Sequence, residues 1–221
     1  MVGLVVYKVT KQGFCGYVSV HSKLMRILVL IVIMAALSTS VSAQRNVFEM
    51  SMLGYTFGEM VLTKTIVNDS VEVYTLDSKG ETNMFWLNRK GESSLEVEYR
   101  NGKLHSSEYN YFNHGELEKW SKTLFDGEKY VATTSEGELE FSESPTYSLI
   151  KLYFEPTLDG DSIFCEEDGS YATVDHDSSK GVFDVRCQDG SRSTYHVKDG
   201  IVDMMEIHLG MANVKLKRMS R

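Results

Sequence analysis

The sequence has little proline, little cysteine and, apart from one stretch near its start, no long apolar run. Its two prolines, Pro145 and Pro156, bracket a single segment. No low-complexity tract or linker-like change of composition divides the rest, so the chain reads as one domain. The longest apolar run, Ile27 to Leu37, is eleven residues, whereas crossing a bilayer takes ~20. That argues against a permanent transmembrane anchor. No Gly-x-Ser-x-Gly elbow occurs, and Asp159-Gly160-Asp161-Ser162 lacks the further acidic ligands of a calcium loop. The expectation is a non-enzyme with no catalytic, cofactor or metal residue and no bound cofactor.

What the early chain does have is an export signal. Met25 to Ala43 reads MRILVLIVIMAALSTSVSA: Arg26 supplies the positive start, Ile27 to Leu37 the apolar centre, and Val41-Ser42-Ala43 the small-residue end. That order predicts a cleavable signal peptide over residues 25–43, cut between Ala43 and Gln44. Residues 1–24 fit no part of such a leader and read as a mis-assigned upstream start, with translation beginning at Met25. The exported domain is then residues 44–221, a secreted or periplasmic protein that is not transmembrane after cleavage.

No Asp or Glu precedes residue 44, while Lys8, Lys11, Lys23 and Arg26 do. The remaining 19 basic residues face 31 acidic ones. An acidic surface repels phosphate backbones, which excludes nucleic acid as a natural partner. Cys165 and Cys187 are the cysteines beyond the leader. In an oxidising compartment they suit a disulfide, and both also suit inward-facing thiols.

Glycine-bearing turn signals recur about every ten residues, among them Ser78-Lys79-Gly80, Arg89-Lys90-Gly91, Arg100-Asn101-Gly102, Asn113-His114-Gly115, Asp168-Gly169 and Asp199-Gly200. Between them the residues alternate: Leu95, Val97 and Tyr99 against Glu96, Glu98 and Arg100; Phe183, Val185 and Cys187 against Asp184 and Arg186; Ile201 and Met205 against Val202 and Met204. Short alternating segments between tight turns predict an antiparallel all-β domain of at least ten strands. The exception is Ser144 to Tyr153. Ser144 suits a helix cap and Pro145 a first helical position, with Leu149, Leu152 and Tyr153 on one side. A helix of two to three turns, plugging the concave side of the sheet, is expected there.

Four runs resemble blocks of an exported bacterial, Bacteroidetes-like domain family of unknown function: Gly54-Tyr55-Thr56-Phe57-Gly58-Glu59-Met60, Asn101-Gly102-Lys103-Leu104, Pro145 to Pro156, and Thr194-Tyr195-His196-Val197-Lys198-Asp199-Gly200. The resemblance covers most of residues 46–218. It implies a large curled antiparallel sheet or unclosed barrel with one short helix covering the concave face, similar in outline to periplasmic lipoprotein carriers. The matching residues belong to turns and packing, and the resemblance supplies no catalytic residue.

The chemical-looking clusters read as ordinary surface. Asp175-His176-Asp177 alternates across a strand and leads into a hairpin, Glu166-Glu167-Asp168 is a solvated charge run before a turn, and His196 and His208 are surface or packing residues. Trp86, Tyr147, Tyr153 and Phe154 are the aromatics that would either pack the core or line an apolar groove. Two functions follow. In the first, an exported non-enzymatic envelope protein holds a lipid or other amphiphile, or another envelope protein, in its concavity. In the second, a structural or protein-interaction module has its groove packed shut and takes no small ligand.

Overall fold

The computed structural model describes residues 42–84, 87–157, 160–210 and 212–219. They form one antiparallel sheet of fourteen strands: β1 (Ser42–Met52), β2 (Tyr55–Asn68), β3 (Val71–Met84), β4 (Leu87–Arg100), β5 (Lys103–Asn113), β6 (Glu116–Phe125), β7 (Tyr130–Thr134), β8 (Gly137–Phe141), β9 (Ser162–Cys165), β10 (Ser170–Asp177), β11 (Val182–Arg186), β12 (Arg192–Lys198), β13 (Ile201–His208) and β14 (Asn213–Arg218). The spatial order runs from β8 down to β1, then from β14 down to β9. Each wing is thus a simple meander. The wings join where β1 pairs with β14, matching Met50 with Leu216. Residues 142–161 carry the chain between the two outer edges, and within them lies α1 (Leu149–Leu152), the one helix among the described residues.

Strand register lines up the inner face in rows. Leu62, Leu76, Leu95, Tyr109 and Ser121 are successive partners across β2 to β6. On the other wing Leu216, Met205, Tyr195 and Phe183 run across β14 to β11. Leu62, Tyr195 and Phe183 are each buried. Because side chains alternate with a period of two, every second residue falls on this face. That alternation is why the polar residues between them stay wet.

The curl has a visible cause. Gly58 faces Gly80, and Gly80 faces Gly91, a row of three glycines across β2, β3 and β4. A Cβ on Gly58 would collide with the backbone oxygen of Lys79 and lie 2.7 Å from Gly80 Cα, and one on Gly80 would lie 2.9 Å from the Phe57 ring. Missing side chains let the strands bend sharply there, as glycine kinks do in curved sheets. Gly80 and Gly91 therefore sit inside strands and not in the turns their sequence context suggests. The turns expected at Asn101-Gly102, His114-Gly115, Gly169 and Asp199-Gly200 are present, each with a residue at positive φ.

Two further expectations are corrected. Val202 is fully buried while Ile201 is only half-buried. The register shifts between His196 and Val197, and the resulting bulge flips the parity of the first residues of β13. The helix is a single turn, with extended Ser148 at its N-cap position and no side-chain capping hydrogen bond. Ser144 instead shares a hydrogen bond with the Tyr130 hydroxyl at 2.9 Å, and Pro145 offers its carbonyl to the Leu104 amide at 2.9 Å. Tyr147 does the same for Phe164 at 3.3 Å. Backbone pairing with both wings outcompetes the helix over residues 145–148.

The plug fills the concavity. Ile150, Leu152, Tyr153 and Phe154 are each at most 6% exposed. Tyr153 packs edge-on between Phe48 of β1, at 5.5 Å, and Tyr195 of β12, at 5.4 Å. Phe154 meets Tyr74 of β3 at 5.6 Å, and Tyr74 meets Tyr99 at 5.8 Å. Edge-on ring pairs of this kind add about 0.5–1.5 kcal/mol each beyond the area they bury. The sheet is wrapped around a core to which its own crossover contributes.

Candidate functional site

The outer edges β8 and β9 are not hydrogen-bonded to each other, so the barrel is left unclosed at a seam. Side chains seal it. Phe141 of β8 lies 5.8 Å from Phe164 of β9 and 5.9 Å from Tyr171 of β10, and it stacks on Tyr130 at 5.3 Å. At one end the turn after β9 presses against β7: Gly169 has φ +61, and a Cβ there would lie 2.6 Å from the Ala132 Cβ. Only glycine satisfies both the left-handed backbone and that approach.

This turn holds a residue that its sequence context misplaces. Glu166, expected in a solvated charge run, is 1% exposed. Its carboxylate accepts the Ile150 amide at 3.2 Å, while its backbone oxygen accepts the Ser121 hydroxyl. Burial pushes the Glu166 carboxyl up to about 7, partly offset by hydrogen bonds from Ser148 and the Ile150 and Leu149 amides. Ser148 in turn accepts the Tyr99 hydroxyl at 2.7 Å, and the Lys151 ammonium sits 4.0 Å over the Tyr99 ring. The polar atoms of the plug are thus tied to both wings. Reading the run by residue type alone gives no hint of this, because one acid of three turns inward.

Beyond Glu166 the same turn meets the cysteines. Cys165 and Cys187 are free thiols whose Sγ atoms lie 3.5 Å apart. Cys165 is 1% exposed and Cys187 half-buried. Asp168 Oδ2 is 3.6 Å from the Cys165 sulfur, and the donor atoms of Cys165, Asp168 and Cys187 all lie within 4.8 Å of one another. Lys119 of β6 donates to Glu167 and Asp168 at 2.9 Å each and stands 3.8 Å from Asp189. Burial pulls against its charge, but Asp168 and Glu167 hold the Lys119 ammonium above its ordinary value. Around it opens a cleft of about 350 Å³, walled by the β7–β8 turn, Glu167, Asp168 and Asp189. Its lining residues are charged or polar apart from Gly137 and Leu139.

Of the aromatics expected to line a groove, Tyr153 and Phe154 are buried in the core. Tyr147 is half-buried against it, its hydroxyl donating to the Glu155 carbonyl. Trp86 lies outside the described residues. Ala43 and Gln44 are exposed at the start of β1, opposite Thr65 and Lys64; residues 1–41 lie outside the described residues. His176 stacks on Phe183 at 4.0 Å, Asp177 caps the following turn through Ser179 and Lys180, and His208 bonds Thr194 at 2.9 Å. A second ion cluster joins Lys64 to Glu155 and, at 3.3 Å, to Glu72. No helix among the described residues is long and apolar enough to cross a membrane.

A single curled sheet, sealed by side chains along an open seam and filled by its own crossover, defines a β-barrel-like module. The chain belongs to a domain family described as a domain of unknown function, DUF6134, whose model matches residues 48–219. It is similar to a solved structure described as a beta-barrel-like protein of domain of unknown function DUF1849 from Brucella abortus: 14% sequence identity, TM-score 0.48, covering 81% of this chain and 96% of that one. No curated protein matches it.

Proposed function

We infer that the protein is an exported, non-enzymatic module of a bacterial, Bacteroidetes-like cell envelope that works through its surface as a structural or protein-interaction domain. The observation that carries this reading is the plug. Tyr153, Phe154, Ile150 and Leu152 occupy the concave face that a lipid or amphiphile would need. A carrier in which Tyr147, Tyr153 and Phe154 wall a groove requires residues 145–155 to leave, breaking the Tyr99–Ser148 and Glu166–Ile150 hydrogen bonds. Leaving those buried groups unpaired costs several kcal/mol in sum, at about 1–3 each. Native mass spectrometry of protein purified from its own envelope tests the reading. The chain alone is expected; one tightly held lipid per chain would make it a carrier.

A further inference from the structure

Cys165 and Cys187 differ in surroundings although they touch. Cys165 ends β9 with its sulfur enclosed, whereas Cys187 follows β11 in a half-buried loop beside the cleft. We propose that they form an asymmetric dithiol that closes to a disulfide by exchange with an external disulfide, Cys187 attacking first and Cys165 resolving, which staples the turn after β9 to the loop after β11.

The geometry divides the labour. An incoming disulfide meets the half-buried Cys187 before Cys165, which is 1% exposed and lies 3.5 Å away from it. The protonation pattern agrees: a hydrogen bond from Cys165, with help from Ser191, holds the Cys187 thiol below its ordinary value against the effect of burial. The same contact, together with burial and the nearby Asp168 and Glu166 carboxyls, pushes the Cys165 thiol up. Asp189 also opposes ionisation at Cys187, and Lys119 bridges Asp189 and Asp168, offsetting both carboxylates. The thiolate is the attacking form.

The steps balance. Cys187 Sγ⁻ attacks one sulfur of the external disulfide, forming a mixed disulfide and expelling one thiolate, which takes a proton from water. Cys165 then loses its proton to water, its sulfur attacks Cys187 Sγ, and the second thiolate leaves and takes a proton from water. Two protein thiols are oxidised and one disulfide is reduced to two thiols. The oxidant is any small or protein-borne disulfide of an oxidising compartment. The chemistry itself does not depend on the export reading.

The test uses the purified chain, fully reduced and then exposed to oxidised glutathione at neutral pH, with acid quenching and peptide mass mapping. Wild type should pass through a glutathione adduct on Cys187 and finish with the two cysteines joined. Cys165→Ser should accumulate the Cys187 adduct, and Cys187→Ser should react at Cys165 roughly tenfold or more slowly. Wild-type mapping gives the order of attack even if a variant folds poorly. An adduct found first on Cys165, equal rates in the two variants, or thiols that stay free around a retained zinc ion would each overturn the proposal.

Discussion

The Glu166 carboxylate lies 3.2 Å from the amide of Ile150, so an acid from the turn after β9 holds the N-terminal end of the plug's single helical turn. Burial raises the carboxyl from 4.5 to about 7 in the folded protein. The folded state therefore binds the proton more tightly than the unfolded chain. The contribution to stability is fully present below pH 4.5 and is lost as pH rises through 7. Between pH 5 and 7.5 wild type should lose about 2 kcal/mol. Glu166→Gln should be flat over that window. Chemical denaturation at the two pH values measures it; an equal loss in the variant would remove Glu166 as the cause. Asp177, held at about 2 by Lys180 and Ser179, acts only at more acid pH.

The glycine row makes the curl vulnerable to a single methyl group. Gly58→Ala should destabilise the domain by about 1–3 kcal/mol, the usual range for overpacking, because its Cβ meets the Lys79 carbonyl and Gly80 Cα, which cannot yield, as well as the Met50 methyl. Gly91→Ala, whose nearest neighbour is the Tyr111 hydroxyl at 3.2 Å, should cost less. Thermal or denaturant unfolding gives the order; equal effects would mean that the bend lies elsewhere.

Within the plug, depth sets the cost of truncation. Leu152→Ala should lose about 2–5 kcal/mol, the range for buried leucines, and Leu149→Ala, which is only half-buried, clearly less. Leu152→Asp should be worse than either, since the charge has no partner in that core. Unchanged stability in Leu152→Ala would place the plug outside the folding core.

For export, the chain recovered from its host should begin at Gln44, which N-terminal sequencing checks. A product retaining Ile27 to Leu37 would mean an uncleaved anchor. Cleavage there would trim only the exposed residues Ser42 and Ala43 from β1.

Much of the fold was legible because alternation is a local property. Leu95, Val97 and Tyr99 face the core as their spacing requires. What sequence could not show depends on distant partners. Gly80 looks like a turn residue until Gly58 and Gly91 are placed opposite it. Val202 enters the core only because a bulge shifts β13 against β12. Glu166 looks solvated until the plug's free amides arrive above it, and Ser144 looks like a helix cap until Tyr130 takes its hydroxyl. The cysteine pair lay in view as two residues, but its unequal burial and its neighbours Asp168 and Lys119 belong to the closed structure.

The claim that the concave face is permanently filled is tested most directly by native-state hydrogen exchange in the plug. The Leu152 amide bonds Ser148 and the Phe154 amide bonds Lys151. If the crossover is core, these amides should exchange only through global unfolding, with the same opening free energy as those of β4 and β13. Plug amides that exchange orders of magnitude faster while the strands stay protected would instead describe a lid over a ligand site, and would contradict the account.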